Sequence, residues 1–207
     1  MIPRKPTIPI QTVLKEAPSK ESADTLVIVL PGRGDRVERL AERGLYSQIQ
    51  DRFPRADVLF VDAHLGYYLS RTLPTRMDED VLLPDRLKKY KELWMMGASL
   101  GGMGSVLLAG NPKIPVSRIF LLAPFLGNKD APIDEVRAAG SRDAWTPNPA
   151  PSEKEAPFVR LWTNLQTLTR ENSPVEVWLG WGTEDSLHET IELLARELPE
   201  RQVFPRK

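Results

Sequence analysis

A serine stands between two glycines in the pentapeptide Gly97-Ala98-Ser99-Leu100-Gly101. The apolar run Leu93 to Met96 precedes it and predicts a strand, and the small and apolar residues Leu100 to Ala109 predict a helix. A tight strand-to-helix turn would lift the Ser99 hydroxyl above a sheet, and the flanking glycines permit such a turn because they carry no Cβ. We therefore predict that Ser99 is a nucleophile. The alternative is a glycine-rich helix start with no catalytic role.

A second glycine-bearing segment, Leu30-Pro-Gly-Arg-Gly-Asp35, directly follows a strongly apolar run. Such a loop can offer a backbone N–H to the oxyanion that forms when a serine attacks a carbonyl. We predict that the N–H groups of Arg33 and Leu100 form this oxyanion hole. A dinucleotide-binding loop is a rival interpretation, but it requires a third glycine where this chain has Val37. An ordinary Pro-Gly turn without a catalytic role is the other rival interpretation.

An acidic residue follows the predicted strand Val175 to Leu179, in the segment Gly180-Trp-Gly-Thr-Glu-Asp185. Serine hydrolases with a strand–turn–helix nucleophile carry their catalytic residues in the order serine, acid, histidine. This order predicts that an acid of this segment, Asp185 or Glu184, orients the base. The alternative is an acidic residue that only stabilises the N-terminus of the next helix.

A serine nucleophile needs a base, usually histidine, and the sequence contains only His64 and His188. His188 lies three residues beyond Asp185, in a predicted first helical turn, and cannot readily fold back onto the serine. His64 precedes the serine and suits the rim of the site better than the role of base. We therefore expect the catalytic histidine, with a final helix, after Lys207, which implies a truncated C-terminus. Loss of that helix should expose part of the sheet's apolar face.

Short apolar runs alternate with helical stripes along the chain. The runs at 26–30, 58–61, 93–97, 119–122 and 175–179 predict parallel strands buried on both faces. Further strands are predicted at Ile8 to Lys15, on an edge, and at Arg201 to Phe204. Helices are predicted over Val37 to Ile49 and along the stripe from Leu187 to Leu198, the latter with a capping box of Ser186 and Glu189. This alternation predicts one α/β domain over residues 1–207, with a mostly parallel sheet flanked by helices.

One region interrupts the alternation. Residues from about 125 to 170, which we call the cap segment, are rich in proline and contain Trp145 and Trp162. A long insertion of this kind is often a lid or binding loop. We predict that the cap segment lies over the carboxyl edge of the sheet and closes one side of the Ser99 pocket. The alternative is a surface excursion whose aromatic residues only pack it down.

Composition excludes several classes of function. The chain has 207 residues, equal numbers of basic and acidic residues (28 each) and no cysteine. The charge balance gives no reason to expect a nucleic-acid partner, and the lack of cysteine excludes disulfides, thiolate catalysis and zinc–thiolate sites. No apolar run is long enough to span a membrane, and Met1 to Ile10 lacks the apolar core of a secretory leader. We expect a cytoplasmic protein without a metal or cofactor.

Three segments resemble the α/β-hydrolase superfamily, and in particular a group of uncharacterised bacterial α/β hydrolases: Glu92 to Gly102, Leu121 to Gly127 and Leu179 to Asp185. The loop that ends at Asp35 is also similar to the His-Gly-x-Gly-Asp loop of the carboxylesterase and acyl-protein thioesterase group, with Pro31 in place of that histidine. The resemblance implies the α/β-hydrolase fold and Ser/Asp/His chemistry. It also implies a Gly-Gly-His segment after the last strand, and it favours Asp185 as the acid.

These residues together predict a serine hydrolase that cleaves a small-molecule carboxylic ester or thioester through an acyl-enzyme on Ser99. Acyl transfer to an acceptor other than water would use the same residues. A ligand-binding protein of the same fold, without catalysis, is the alternative from another class.

Overall fold

The computed structural model describes residues 4–19 and 21–206 of the chain. Within these residues, seven strands form one sheet in the spatial order β1-β3-β2-β4-β5-β6-β7, with β1 antiparallel to β3 and every other pair parallel. The strands are β1 (Thr12–Lys15), β2 (Thr25–Leu30), β3 (Ala56–Val61), β4 (Glu92–Ala98), β5 (Val116–Leu122), β6 (Glu176–Gly182) and β7 (Val203–Arg206). The five strands predicted as parallel neighbours are confirmed, and so is the mostly parallel sheet.

The central strands are buried because both of their faces are apolar. Every residue of β2 and β3 is buried, as expected for parallel strands covered on both sides. The predicted edge strand is shorter than Ile8 to Lys15, since only Thr12–Lys15 pairs with β3. The segment Met1 to Ile10, in which no secretory leader is expected, is described only from residue 4 onward.

Helices cover the sheet on two sides. They are α1 (Val37–Glu42), α2 (Leu45–Arg52), α3 (Leu65–Leu69), α4 (Leu73–Arg76), α5 (Pro84–Leu87), α6 (Leu100–Ala109), α7 (Ile133–Ala138), α8 (Ala156–Thr169) and α9 (His188–Ala195), with a π-helical turn at Met77–Val81 and a 3₁₀ turn at Glu200–Gln202. The helices α1 and α2 pack on the face that carries Val27 and Val29. The opposite face, which carries Leu26 and Ile28, packs against α6, α8 and α9.

Two local predictions are wrong. The single helix expected over Val37 to Ile49 is divided into α1 and α2, because Gly44 adopts a left-handed conformation (φ 75°) between them. The capping box expected from Ser186 and Glu189 does not form either. The helix α9 begins at His188, and the Asp185 side chain accepts a hydrogen bond from the Leu187 N–H instead.

Candidate active site

Ser99 occupies the turn between β4 and α6 in a backbone conformation that is rare for a residue with a side chain. Its φ is 49° and its ψ is −113°. Four hydrogen bonds hold the peptide: the Ser99 N–H donates to the Leu122 carbonyl (2.9 Å), and the Ser99 carbonyl accepts from the N–H groups of Gly102 (3.0 Å), Met103 (3.3 Å) and Phe125 (2.9 Å). Such an outlier persists only where its surroundings enforce it, and strained residues of this kind concentrate at functional sites. The turn has the form predicted for a nucleophile.

The glycines on either side of Ser99 are required by close backbone contacts. A Cβ on Gly97 would lie 2.1 Å from the Gly101 carbonyl oxygen, and a Cβ on Gly101 would lie 2.2 Å from the Leu30 carbonyl oxygen. Backbone atoms cannot move aside as a flexible side chain can. The G-x-S-x-G spacing therefore follows from how closely α6 approaches β2 and β4.

The loop after β2 lies beside the serine, as the oxyanion prediction requires. A Cβ on the buried Gly32 would lie 3.8 Å from the Ser99 Cβ and 3.6 Å from the Ala98 carbonyl oxygen. Neither the Arg33 N–H nor the Leu100 N–H has a hydrogen-bond acceptor among the described residues. Leu100 is the first residue of α6, so its N–H belongs to a helix N-terminus, where donors remain free. The structure thus leaves both predicted donors free on the elements that flank Ser99.

Asp185 lies in the turn between β6 and α9, partly buried. Its Oδ1 accepts a hydrogen bond from the Leu187 N–H (2.8 Å), and its own N–H donates to the Gly182 carbonyl (3.0 Å). Glu184 is exposed. The strand β6 is separated from β4 by β5 alone, so the two strand ends are roughly 10 Å apart. Asp185 thus follows the same edge of the sheet as Ser99, two strand positions away.

The two histidines are engaged elsewhere. The His64 Nδ1 accepts a hydrogen bond from the Gly66 N–H (3.1 Å), and its ring lies 4.6 Å from that of Tyr67. Burial and the neighbouring Arg4 lower the pKa of His64, against an opposing effect of Asp62. The His188 Nδ1 faces the Glu192 carboxylate at 3.7 Å on α9. No hydrogen bond of the Ser99 hydroxyl is found within residues 4–19 and 21–206.

Asp35 has no role predicted from the sequence, but the structure brings it to the site. An idealised Cβ on Gly32 would lie 3.0 Å from the Asp35 Oδ2 and 3.8 Å from the Ser99 Cβ. The distance between the Asp35 Oδ2 and the Ser99 Cβ is therefore at most the sum of these two distances. Among the described residues, the Asp35 carboxylate has no cationic partner. Its place in the quoted loop was visible in the sequence, but the direction of its side chain was not.

The cap segment begins at the nucleophile and then runs along the helices. Its residue Phe125 donates the hydrogen bond to the Ser99 carbonyl described above. Trp162 on α8 is fully buried and donates to the Leu126 carbonyl (3.0 Å), and Trp145 is 4% exposed and donates to Glu135 (3.1 Å). The two tryptophans are therefore buried and anchor the cap segment to the rest of the fold. This agrees with the alternative interpretation, a surface excursion that is packed down by its aromatic residues. Closure of the Ser99 pocket by the cap segment stays a prediction.

Two further searches concern metals and membranes. Among the described residues, no group of three or more histidine, aspartate and glutamate side chains is arranged to hold a metal ion. None of the described helices combines the length and the apolar character needed to cross a bilayer.

No protein-family model and no curated protein sequence matches this chain. Solved structures do match. Est1E from Butyrivibrio proteoclasticus is 16% identical with a TM-score of 0.59, over 95% of this chain and 82% of its own. A monoacylglycerol lipase from Paleococcus ferrophilus is 13% identical (0.55, 95% and 87%), and the S-formylglutathione hydrolase FrmB from Staphylococcus aureus is 11% identical (0.55, 100% and 90%). The chain has the α/β-hydrolase fold.

Proposed function

We propose that this protein is a serine hydrolase that cleaves small-molecule carboxylic esters or thioesters through an acyl-enzyme. The observation that carries the proposal is the strained conformation of Ser99 at the turn between β4 and α6, with the loop after β2 beside it. Several of the matching structures are named as esterases or lipases, which supports the choice of ester substrates.

The chemistry assigns one task to each predicted residue. The Ser99 hydroxyl attacks the acyl carbonyl and passes its proton to a base, and the N–H groups of Arg33 and Leu100 stabilise the negative oxygen that forms. The tetrahedral intermediate then expels the alcohol or thiol, which takes up the proton from the base. Water attacks the acyl-enzyme in the second half of the reaction and releases the acid. Asp185 orients the imidazole that serves as base and stabilises its charged form.

The nucleophile is tested by labelling with a fluorophosphonate, which reacts with activated serines. We expect labelling of the wild-type chain and its loss in Ser99→Ala. The matched control is Ser47→Ala, which removes an exposed serine on α2 and should label normally. Labelling that survives in Ser99→Ala would reject the assignment.

The base is tested by chemical rescue, because neither His64 nor His188 forms a hydrogen bond with Ser99. If the imidazole is supplied from outside the described residues, the 207-residue chain should hydrolyse short p-nitrophenyl esters slowly. Free imidazole should then raise the Ser99-dependent rate several-fold. A fast rate without imidazole that disappears in His64→Ala would instead make His64 the base.

Asp185 is tested by a substitution that keeps its structural hydrogen bond. The amide oxygen of Asp185→Asn can still accept from the Leu187 N–H, so only the charge is lost. We expect Asp185→Asn to lower the imidazole-dependent rate while the melting temperature stays close to that of the wild type. Glu184→Gln is the control, since Glu184 is exposed and its charge has no assigned role.

A ligand-binding protein without catalysis is the second candidate. It is favoured by one observation, the lack of an imidazole bonded to Ser99 among the described residues. A chain that neither reacts with the fluorophosphonate nor responds to imidazole, but binds esters unchanged, would support it.

A further inference from the structure

A cavity of about 290 Å³ lies outside the Ser99 site, between α3, α4, α6 and the start of α8. Its volume is at the lower end of small-molecule sites, which typically enclose roughly 300–1,000 Å³. Most of its wall is apolar, with Leu73 from α4, Met103 and Leu107 from α6 and Ala156 from α8. The cavity therefore suits an alkyl chain of moderate length.

Two guanidinium groups stand at this apolar cavity. Arg71 follows α3 and Arg160 is on α8; both side chains line the cavity, and both residues are exposed to solvent. Neither forms an ion pair with the described residues, although Arg71 donates a hydrogen bond to the Glu153 carbonyl (3.3 Å). The nearby Glu155 carboxylate is engaged by the Ser152 N–H (2.8 Å). The cavity thus combines an apolar wall with two positive charges that lack a carboxylate partner.

Two further features of the wall concern Arg71 and Tyr68. Arg71 has a φ of 57° because it occupies the left-handed position of the turn that ends α3, where its N–H donates to the Tyr68 carbonyl (3.1 Å) and the Thr72 N–H donates to the Tyr67 carbonyl (3.0 Å). The Tyr68 hydroxyl is buried without a hydrogen-bond partner among the described residues, packed so closely on α6 that a Cβ on Gly104 would lie 2.2 Å from it. A buried hydroxyl without a hydrogen-bond partner is rare in native proteins and calls for an explanation.

We propose that this cavity binds a medium-chain carboxylate, with the alkyl chain against Leu73, Met103 and Leu107 and the carboxylate between Arg71 and Arg160. A guanidinium group and a carboxylate match in geometry and charge, and two guanidinium groups can each take one oxygen. The site is one helical turn along α6 from the nucleophile, since the Met103 N–H donates to the Ser99 carbonyl (3.3 Å). Binding here does not depend on hydrolysis at Ser99.

The test uses the Ser99→Ala protein, so that no covalent chemistry can interfere, and decanoate as the probe. Decanoate is titrated while the leucine and methionine methyl groups are followed by NMR. We expect saturable binding with shifts centred on Leu73, Met103 and Leu107. Decanol, which has the same chain without the charge, should bind about tenfold more weakly, and decyltrimethylammonium should not bind.

Substitutions then assign the site. Arg160→Ala and Arg71→Gly should each weaken decanoate binding by about three- to tenfold, and glycine at position 71 also suits the left-handed conformation there. Ala156→Phe should fill the cavity and abolish binding. Arg43→Ala is the matched control, since Arg43 is an exposed arginine beside α1, on the other face of the sheet.

Three results would overturn the proposal. They are equal binding of decanol and decanoate, unchanged binding in both arginine variants, and binding that persists in a folded Ala156→Phe protein. The last result would place decanoate elsewhere, for example beside residue 99. Failure of fluorophosphonate labelling would reject the nucleophile but not the decanoate site, because the label reports on Ser99 and decanoate binds in a different pocket.

Discussion

One face of the sheet is covered in one half and open in the other. Over β2 and β3, the side chains of Val27, Val29 and Phe60 lie under α1 and α2 and are 3% exposed or less. Over β5 to β7, the same face carries Leu122 and Phe204, which are 41% and 43% exposed. The two halves are continuous, because neighbouring aromatic rings run across them from β4 to β7: Trp94, Phe120, Trp178 and Phe204.

The difference in coverage is accompanied by a difference in strand composition. The covered half contributes Val27, Val29 and Phe60, whereas the open half also carries an ion pair between Arg118 and Glu176 (2.9 Å), and within the described residues only the first half is covered by helices. The second half forms an apolar groove of about 640 Å³ beside Trp178 and Phe204. Burial of apolar surface stabilises a fold roughly in proportion to its area. We therefore expect the covered half to dominate stability and the open half to affect association.

The largest expected effect comes from truncation in the covered half. Phe60→Ala removes a fully buried ring from β3 and should lower the free energy of unfolding by about 3–5 kcal/mol. Urea unfolding followed by circular dichroism measures the loss. A loss of free energy of unfolding below about 1 kcal/mol would show that α1 and α2 do not keep Phe60 tightly buried.

The same change in the open half should cost less. Trp178→Ala removes a larger ring, but Trp178 is only partly buried between Phe120 and Phe204. We expect a loss of about 1–2 kcal/mol in the same urea experiment, because less surface returns to water. A loss as large as that of Phe60→Ala would show that the open face is covered in solution.

A pH-dependent effect should come from His64, which follows β3 and packs against Tyr67. Burial and Arg4 lower the pKa of His64, so the folded protein favours the neutral ring while the unfolded chain takes up a proton below about pH 6.5. Stability is therefore complete above that pH and falls as the pH decreases through it. Protonation would also remove the hydrogen bond that Nδ1 accepts from Gly66.

Melting temperatures between pH 7.5 and 5 measure this dependence. His64→Asn should flatten the curve, and His188→Asn is the matched control, because His188 is 40% exposed on α9. An equal slope in the wild type and in His64→Asn would show that other groups cause the acid sensitivity.

The smallest effect on stability should come from Leu122, at the rim of the open groove. Leu122→Gln replaces an exposed apolar side chain and should change the free energy of unfolding by about 0.5 kcal/mol or less. Association should respond more, because an exposed apolar patch favours contacts between molecules. Sedimentation velocity should show less self-association than in the wild type.

Local patterns predicted most of the sheet and the position of Ser99. The apolar runs that became β2 and β3 are short and closed by breakers, so their type could be inferred without tertiary contacts. The turn at Ser99 was predictable because its two glycines are forced by backbone contacts. The division between α1 and α2 depends on the left-handed conformation of Gly44, which cannot be predicted from the spacing of apolar residues.

Features that depend on distant segments could not be predicted. The side chain of Asp35 turns toward Gly32 and Ser99 only because β2 and β4 are neighbours. The arginines of the proposed carboxylate site are 89 residues apart in number, at 71 and 160, and meet only when α8 packs on α6. Trp162 was equally compatible with a pocket or a core until its indole N–H was found bonded to Leu126.

The hydrogen bond from Phe125 to the Ser99 carbonyl has a mechanical consequence. Any movement of the cap segment has to begin after Phe125, because the Phe125 N–H is hydrogen-bonded to the Ser99 carbonyl. Gly127 is the first position beyond it with a backbone conformation that favours glycine (φ 138°). Leu126, between these two residues, accepts a hydrogen bond from the fully buried Trp162, so α8 holds the turn at Ser99 in place through this segment and any such movement is confined to residues after Gly127.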